Sequence, residues 1–150
     1  MPYSEEFVQK RVSDECVVSN MVNALLGRLH LASYLKFLTE RQKELVKEGI
    51  GYYRKIAEDK KKGIPVWPLG FASFGQSEVA AGFRTEEKLY LAVWNTSDEK
   101  KTICIPIEEG KGEEIVKVGF PCSIDTEYVW RDHCLEITLG AHNSRFFEIS

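Results

Sequence analysis

Three kinds of side chain in this sequence could carry chemistry. Nucleophilic catalysis needs a Ser, Cys or Thr held beside a base that takes its proton. Serines, aspartates and three histidines are present, but no serine stands in a G-x-S-x-G elbow. Cys16 has no histidine near it in sequence, and His30, His133 and His142 are scattered. His30, flanked by Leu29 and Leu31, is expected to be a packed helix residue. His133 and His142 fall in turns, where exposure to solvent accounts for them. Paired carboxylates are the second kind: cleavage of a glycosidic bond needs two carboxyls ~5–10 Å apart across it. The acids here come as the doublets Glu86-Glu87, Asp98-Glu99, Glu108-Glu109 and Glu113-Glu114, placed as solvated charge at turns. No catalytic residue is assigned. The aromatics are the third kind. Trp67, Trp94 and Trp130 accompany Tyr90, Tyr128, Phe71, Phe74 and Phe83 in the second half of the chain. Such rings either fill a core and its seams or present a face on which sugar rings stack. For such a face the carbohydrate-binding candidates are Trp94, out of phase with Leu91 and Val93, and Trp130.

The elements that must position these residues change period near Pro65. Tyr3, Phe7, Val8 and Val12 suggest a short opening helix. A second helical segment spans 17–31, where Val18, Met21, Val22, Leu25, Leu26 and Leu29 form one broad apolar face, with Ser19 and Asn20 as possible caps. Gly27 inside it marks close packing on a neighbour. Thr39 and Gln42 form a capping box, and Leu45, Val46, Gly49, Ile50, Tyr53, Ile56 and Ala57 make a stripe behind it. Lys60, Lys61 and Lys62 suit the carbonyl end of the dipole, Gly63 suits a left-handed cap, and Pro65 prevents continuation. The spacing thus predicts a helix over 40–62. Beyond Pro65 apolar residues alternate at Val79, Ala81 and Phe83, at Leu89, Leu91 and Val93, at Ile103, Ile105 and Ile107, and at Leu135, Ile137 and Leu139. Weaker strand candidates span 115–118 and 127–130, and a closing strand spans 145–149. Turns at 84–87, 95–98, 109–112, 131–132 and 140–143 separate them. The fold class is α+β: two or three N-terminal helices over residues 1–64, then an antiparallel β-sandwich of about seven or eight strands over 65–150.

Size and charge narrow the functional classes. The chain has 150 residues, 43% hydrophobic and 29% charged, with a net charge of −3. That suits one globular domain, or one domain with a helical appendage, and argues against disorder, collagen and coiled coil. Nucleic acid is not an expected partner. The balance is uneven, with 12 basic and 9 acidic side chains in 1–64 (+3) against 8 and 14 in 65–150 (−6). No apolar run approaches the ~18 residues of a membrane span, and the first ten residues show no signal pattern, so no membrane partner and a cytoplasmic location are expected. Cys16, Cys104, Cys122 and Cys134 form no C-x-x-C pair and read as buried free thiols; Cys134 beside His133 lacks zinc spacing, so no metal is assigned. No cofactor is implied.

Four segments resemble one enzyme family. The run Met21-Val22-Asn23-Ala24-Leu25-Leu26-Gly27-Arg28-Leu29-His30-Leu31-Ala32-Ser33 is similar to a helix near the end of the catalytic barrel in melibiase-type α-galactosidases. Val46 to Ile56, with Tyr52-Tyr53-Arg54, is similar to the helix that follows it. Ile64-Pro65-Val66-Trp67-Pro68-Leu69-Gly70 resembles the passage from barrel to C-terminal β-sandwich, and 83–95 resembles the first hairpin of that sandwich.

The resemblance implies the last barrel helices plus the accessory sandwich of such a glycoside hydrolase, acting in carbohydrate metabolism. The family's two catalytic aspartates lie on earlier barrel strands, upstream of every matched segment, and a barrel alone takes ~250 residues. The expectation is therefore a non-catalytic domain, inactive by itself, that supports barrel stability or oligomerisation. Its partner would be the upstream barrel or a self-copy through the helical half, and galactosides are a possible ligand. The alternatives are a stand-alone carbohydrate-binding sandwich and an interaction protein that docks on a separate catalytic chain.

Overall fold

The computed structural model describes residues 4–31, 35–107 and 114–150. The turn read at 109–112, the doublet Glu108-Glu109, and Tyr3 lie outside the described residues.

Three helices open the chain. α1 (Glu5–Arg11) is capped by Ser4, whose side chain accepts from the Phe7 amide. α2 (Asp14–Leu26) is capped by Ser13, with Asp14 and Glu15 in the first turn complementing its dipole. α3 (Glu40–Lys62) has the limits that its capping box and lysine triplet predict. The Gln42 carboxamide accepts from the Thr39 amide at 3.1 Å and donates to the Val12 carbonyl at 2.8 Å. It thereby ties the exit of α1 to the start of α3.

Two helix limits depart from expectation. α2 begins earlier than 17, because Ser13 caps it while Ser19 and Asn20 lie inside it, and it ends earlier than 31, with Gly27 as its C-cap. The end is sealed from outside: Lys60 Nζ of α3 donates to the carbonyls of Leu25 (3.1 Å) and Gly27 (2.7 Å), groups that a helix terminus leaves without partners. His30 consequently lies past the helix and is exposed rather than packed. Gly63 is extended at φ −69°, ψ 142°, not left-handed. Its lack of a side chain answers a steric need, since a Cβ there would sit 2.5 Å from Cδ2 of Phe83.

Eight strands follow: β1 (Ile64–Val66), β2 (Glu78–Arg84), β3 (Leu89–Asn95), β4 (Lys101–Pro106), β5 (Val116–Phe120), β6 (Glu127–Arg131), β7 (Cys134–Leu139) and β8 (Ser144–Ile149). They form two antiparallel sheets, β1-β2-β3-β8-β5 and β4-β7-β6. Leu89, Leu91 and Val93 of β3 face the smaller sheet, meeting Ile103, Ile105, Leu135, Ile137 and Phe147. Tyr90 and Ala92 face the other way and pack with Phe83, Phe120 and Phe146 beneath Val18, Val22 and Leu25 of α2 and Leu45, Tyr52 and Ile56 of α3. The architecture is α+β in three layers: helices, the five-stranded sheet, and the three-stranded sheet. The stripe of α3 is turned slightly from the expected one, burying Tyr52 rather than Tyr53.

The cysteines also differ from expectation. Cys104 of β4 and Cys134 of β7 are joined by a disulfide on the outer face of the smaller sheet, while Cys16 and Cys122 are free but exposed. Register places the pair: Cys104 opposes Glu136, and Cys134 opposes Pro106. A separation of 30 residues carries no spacing signature that would reveal it.

Leu91 is fully buried between the sheets, so Leu91→Ala is expected to cost ~2–5 kcal/mol in a denaturant melt. Gly63→Val is expected to cost about 1–3 kcal/mol through overpacking on Phe83. Phe83→Leu, which clears space, should recover part of that loss in the double variant.

Candidate interaction surface

The two tryptophans singled out from the sequence sit on different layers. Trp94 ends β3 on the helix side, half-buried, with its indole N–H donating to Asn23 Oδ1 of α2 at 2.9 Å. Trp130 is on β6, half-buried against the inter-sheet core. The structure does not bring them together. Among the described residues the most exposed rings are Trp67, Phe71 and Phe74, in the connection between β1 and β2, at 44%, 77% and 109% of full exposure. The sequence analysis counts these rings among the aromatics but does not single them out, because the segment has neither helical nor strand period; its Pro and Gly residues mark a loop but not which way its rings point.

The helical half carries the second surface. A groove of about 400 Å³ has an apolar floor of Leu35, Leu38, Val46 and Ile50, bordered by Lys43, Lys47 and Arg54. The face of α3 that forms it points away from the sheet, so the helices do not consume all their apolar surface in packing on the sandwich.

Between α3 and the sheet lies a charged cluster. Glu148 of β8 is 1% exposed. It is opposed by Lys117 on one neighbouring strand and Tyr90 on the other. Lys88 and Lys117 reach Glu148 Oε1 at 3.1 Å each, Lys55 of α3 reaches Oε2 at 3.3 Å, and Tyr52 donates to Oε2 at 3.4 Å. Burial by itself would raise the carboxyl, but hydrogen bonds from Lys88, Lys117 and Lys55 outweigh it and hold Glu148 at about 2. Burial, then the Glu148 charge, pushes Tyr52 up; burial, then the hydrogen bond to Asp59, does the same to Tyr90. Burial and then Glu48 push the Cys122 thiol up. Each group is thus fixed in its resting protonation state near neutral pH, which suits a clamp between helix and sheet rather than proton transfer. The outer-face pair of His142 and Asp98, 2.7 Å apart, joins two turns. Among the described residues no group of three or more His, Cys, Asp or Glu could hold a metal ion, and no helix is long and apolar enough to cross a membrane.

A depressed acid stabilises the fold while it is ionised in the native state. The contribution of Glu148 is fully present above the unfolded carboxyl value of ~4.3 and is lost as pH falls from there through about 2. Thermal melts between neutral pH and pH ~2 should show this loss. Glu148→Gln should cost about 3 kcal/mol at neutral pH, because it leaves three lysines without their acid, and should flatten the acid limb.

No protein-family model matches the sequence, and no curated protein does. Solved structures do match the fold. A candidate α-N-acetylgalactosaminidase from Bacillus halodurans aligns with 93% of this chain at a TM-score of 0.66 and 16% identity, and an Anoxybacillus α-amylase with 96% at 0.61 and 11%. The α-galactosidase I of Mortierella vinacea aligns with 92% at 0.55 and 13%. This chain covers 33%, 34% and 36% of those proteins respectively. At such identities the likeness is one of fold: the helices and sandwich seen here have the fold of about a third of each of these three enzymes.

Proposed function

We propose that this chain is a non-catalytic accessory domain of an α-galactosidase-like glycoside hydrolase, working in carbohydrate metabolism and docking through its helical half on the catalytic domain. The observation that carries the reading is the match of nearly all of this chain to only about a third of such enzymes. The groove supports it: its apolar floor suits an apolar segment of a second domain, with Arg54 at the rim to meet an acid, while Lys43 and Lys47 pair with Glu40 and Glu44 of α3 itself. The sandwich behind the helices then acts as a rigid backing that holds α2 and α3 in one orientation. The fold alone does not select the sugar, since an α-amylase shares it.

Pure protein incubated with an aryl α-galactoside is expected to show no turnover; turnover abolished by changing one of the chain's own carboxylates would overturn the reading. An environment-sensitive dye should bind the isolated chain at the groove, and Ile50→Glu should remove most of that signal while lowering the stability read from the melt by only about 1 kcal/mol, since Ile50 is half-buried. Equal dye binding by the variant would mean that the groove is not an available apolar surface.

A further inference from the structure

One covalent link in the molecule serves neither the core nor the helical clamp. Cys104 of β4 and Cys134 of β7 face outward from the smaller sheet, 30 residues apart in sequence and 6.3 Å apart between Cα atoms. Cys104 is exposed and Cys134 half-buried, so a thiol in the medium can reach the bridge. The two strands hold together without it. Residues 101–106 pair with 139–134 along the whole of β4, and the Ile107 amide donates to the His133 carbonyl at 2.8 Å. The Thr102 and Thr138 hydroxyls share a hydrogen bond at 3.0 Å. Beneath them Ile103, Ile105, Leu135 and Ile137 are fully buried. A bridge laid over a finished ladder is not what makes this fold possible.

The other two cysteines show which medium the chain suits. Cys16 and Cys122 are free and exposed. An oxidising compartment would capture such thiols as disulfides, whereas bridges in a reducing one are usually transient and responsive. Neither thiol can attack the bridge from within. Cys16 lies on α2 and the Cys122 amide is tied to Glu48 of α3, so the five-stranded sheet stands between them and the bridge. The two bridged sulfurs also differ in their surroundings. Across the strands Cys104 stands opposite Glu136 and Cys134 opposite Arg131, whose guanidinium is 2.6 Å from Glu136. A thiolate that departs at Cys134 has that cation beside it.

We propose that Cys104 and Cys134 form a reversible redox latch, worked by thiol–disulfide exchange with a small-molecule thiol couple, that governs how readily β4 leaves the sheet. β4 stands at the edge of its sheet and pairs with β7. With the latch closed the two strands cannot part; with it open β4 is held by its ladder and its isoleucines. In opening, a thiolate of the medium attacks Cys104 Sγ, the S–S bond breaks, and Cys134 departs as a thiolate that takes up the proton the first thiol gave up. A second thiolate attacks the mixed disulfide and releases Cys104, so two small thiols become one small disulfide and the chain gains two thiols. Closing is the reverse. The inference goes beyond the docking reading and does not rest on it, since the bridge lies on the layer remote from the helices.

The test equilibrates the pure chain with reduced and oxidised glutathione in varied ratio at millimolar total concentration, then counts thiols after an acid quench. Two thiols are expected at the oxidised end and four at the reduced end, with a reversible transition between. Both forms should melt cooperatively, the reduced one at a lower temperature because its unfolded chain is less restrained. Amides of β4 should exchange hydrogen about tenfold faster in the reduced form, through openings that low denaturant does not promote. Cys104→Ser/Cys134→Ser should exchange like the reduced chain in both media. A bridge that millimolar glutathione does not open overturns the proposal, and so do four thiols at every ratio. Loss of the cooperative melt on reduction would make the bridge a requirement of the fold, and a change confined to denaturant-promoted openings would make it a global staple; either result overturns the latch. A difference between the two media that persists in the double variant overturns it as well.

Discussion

Everything in this fold depends on the burial of β3 and β8 on both faces. An antiparallel sandwich ordinarily keeps one side of each sheet in water. Here β3 and β8, inside the larger sheet, are buried on each side, because the helices cover what the smaller sheet does not. Tyr90, Ala92 and Phe146 would be an exposed apolar strip without α2 and α3. The helical segment is therefore no loose appendage; it is the third layer of one core. This also explains why Trp94, polar-tipped and out of phase with the inter-sheet residues, lies against α2 instead of facing solvent.

The same constraint accounts for Glu148. A carboxylate in the middle of a sheet that is covered on both faces can stay charged only if cations reach it, and three do, from β5, from the turn before β3, and from α3. Lys55 crosses from helix to strand, so the ion pair records the angle at which α3 lies on the sheet. Tyr52, which shares the carboxylate, also lies over Gly119, where a Cβ would collide with its phenol ring. Charge and close approach fix the same helix in the same place.

Local rules were legible in the sequence and long-range ones were not. Thr39, Gln42 and the lysine triplet are neighbours along the chain, and they located α3 to the residue. Alternation at Leu89, Leu91 and Val93 identified the inter-sheet face of β3 correctly. The start of α2 was a local miss, since its cap Ser13 stands three residues from Cys16, but the other misses share one cause: their partners are distant in sequence. The end of α2 is decided by Lys60, the need for glycine at 63 by Phe83, and the pairing of Cys104 with Cys134 by strand register. The candidate surface was half legible. Helices with more apolar face than they could share implied an uncovered groove, but the outward rings of 67–74 obey no period.

The position of β8 between β3 and β5 has a temporal side. β3 and β8 are separated along the chain by four other strands, yet they are immediate neighbours in the sheet. During synthesis α2, α3 and the β2–β3 hairpin leave the ribosome with the inner edge of β3 open, and they must wait for β8 to fill it. Until then the nascent chain offers an apolar strand with unpaired backbone groups, the kind of template that neighbouring polypeptides pair with. The growing chain is thus most vulnerable just before β8 is made, and chaperones that shield open sheet edges would matter most in that interval.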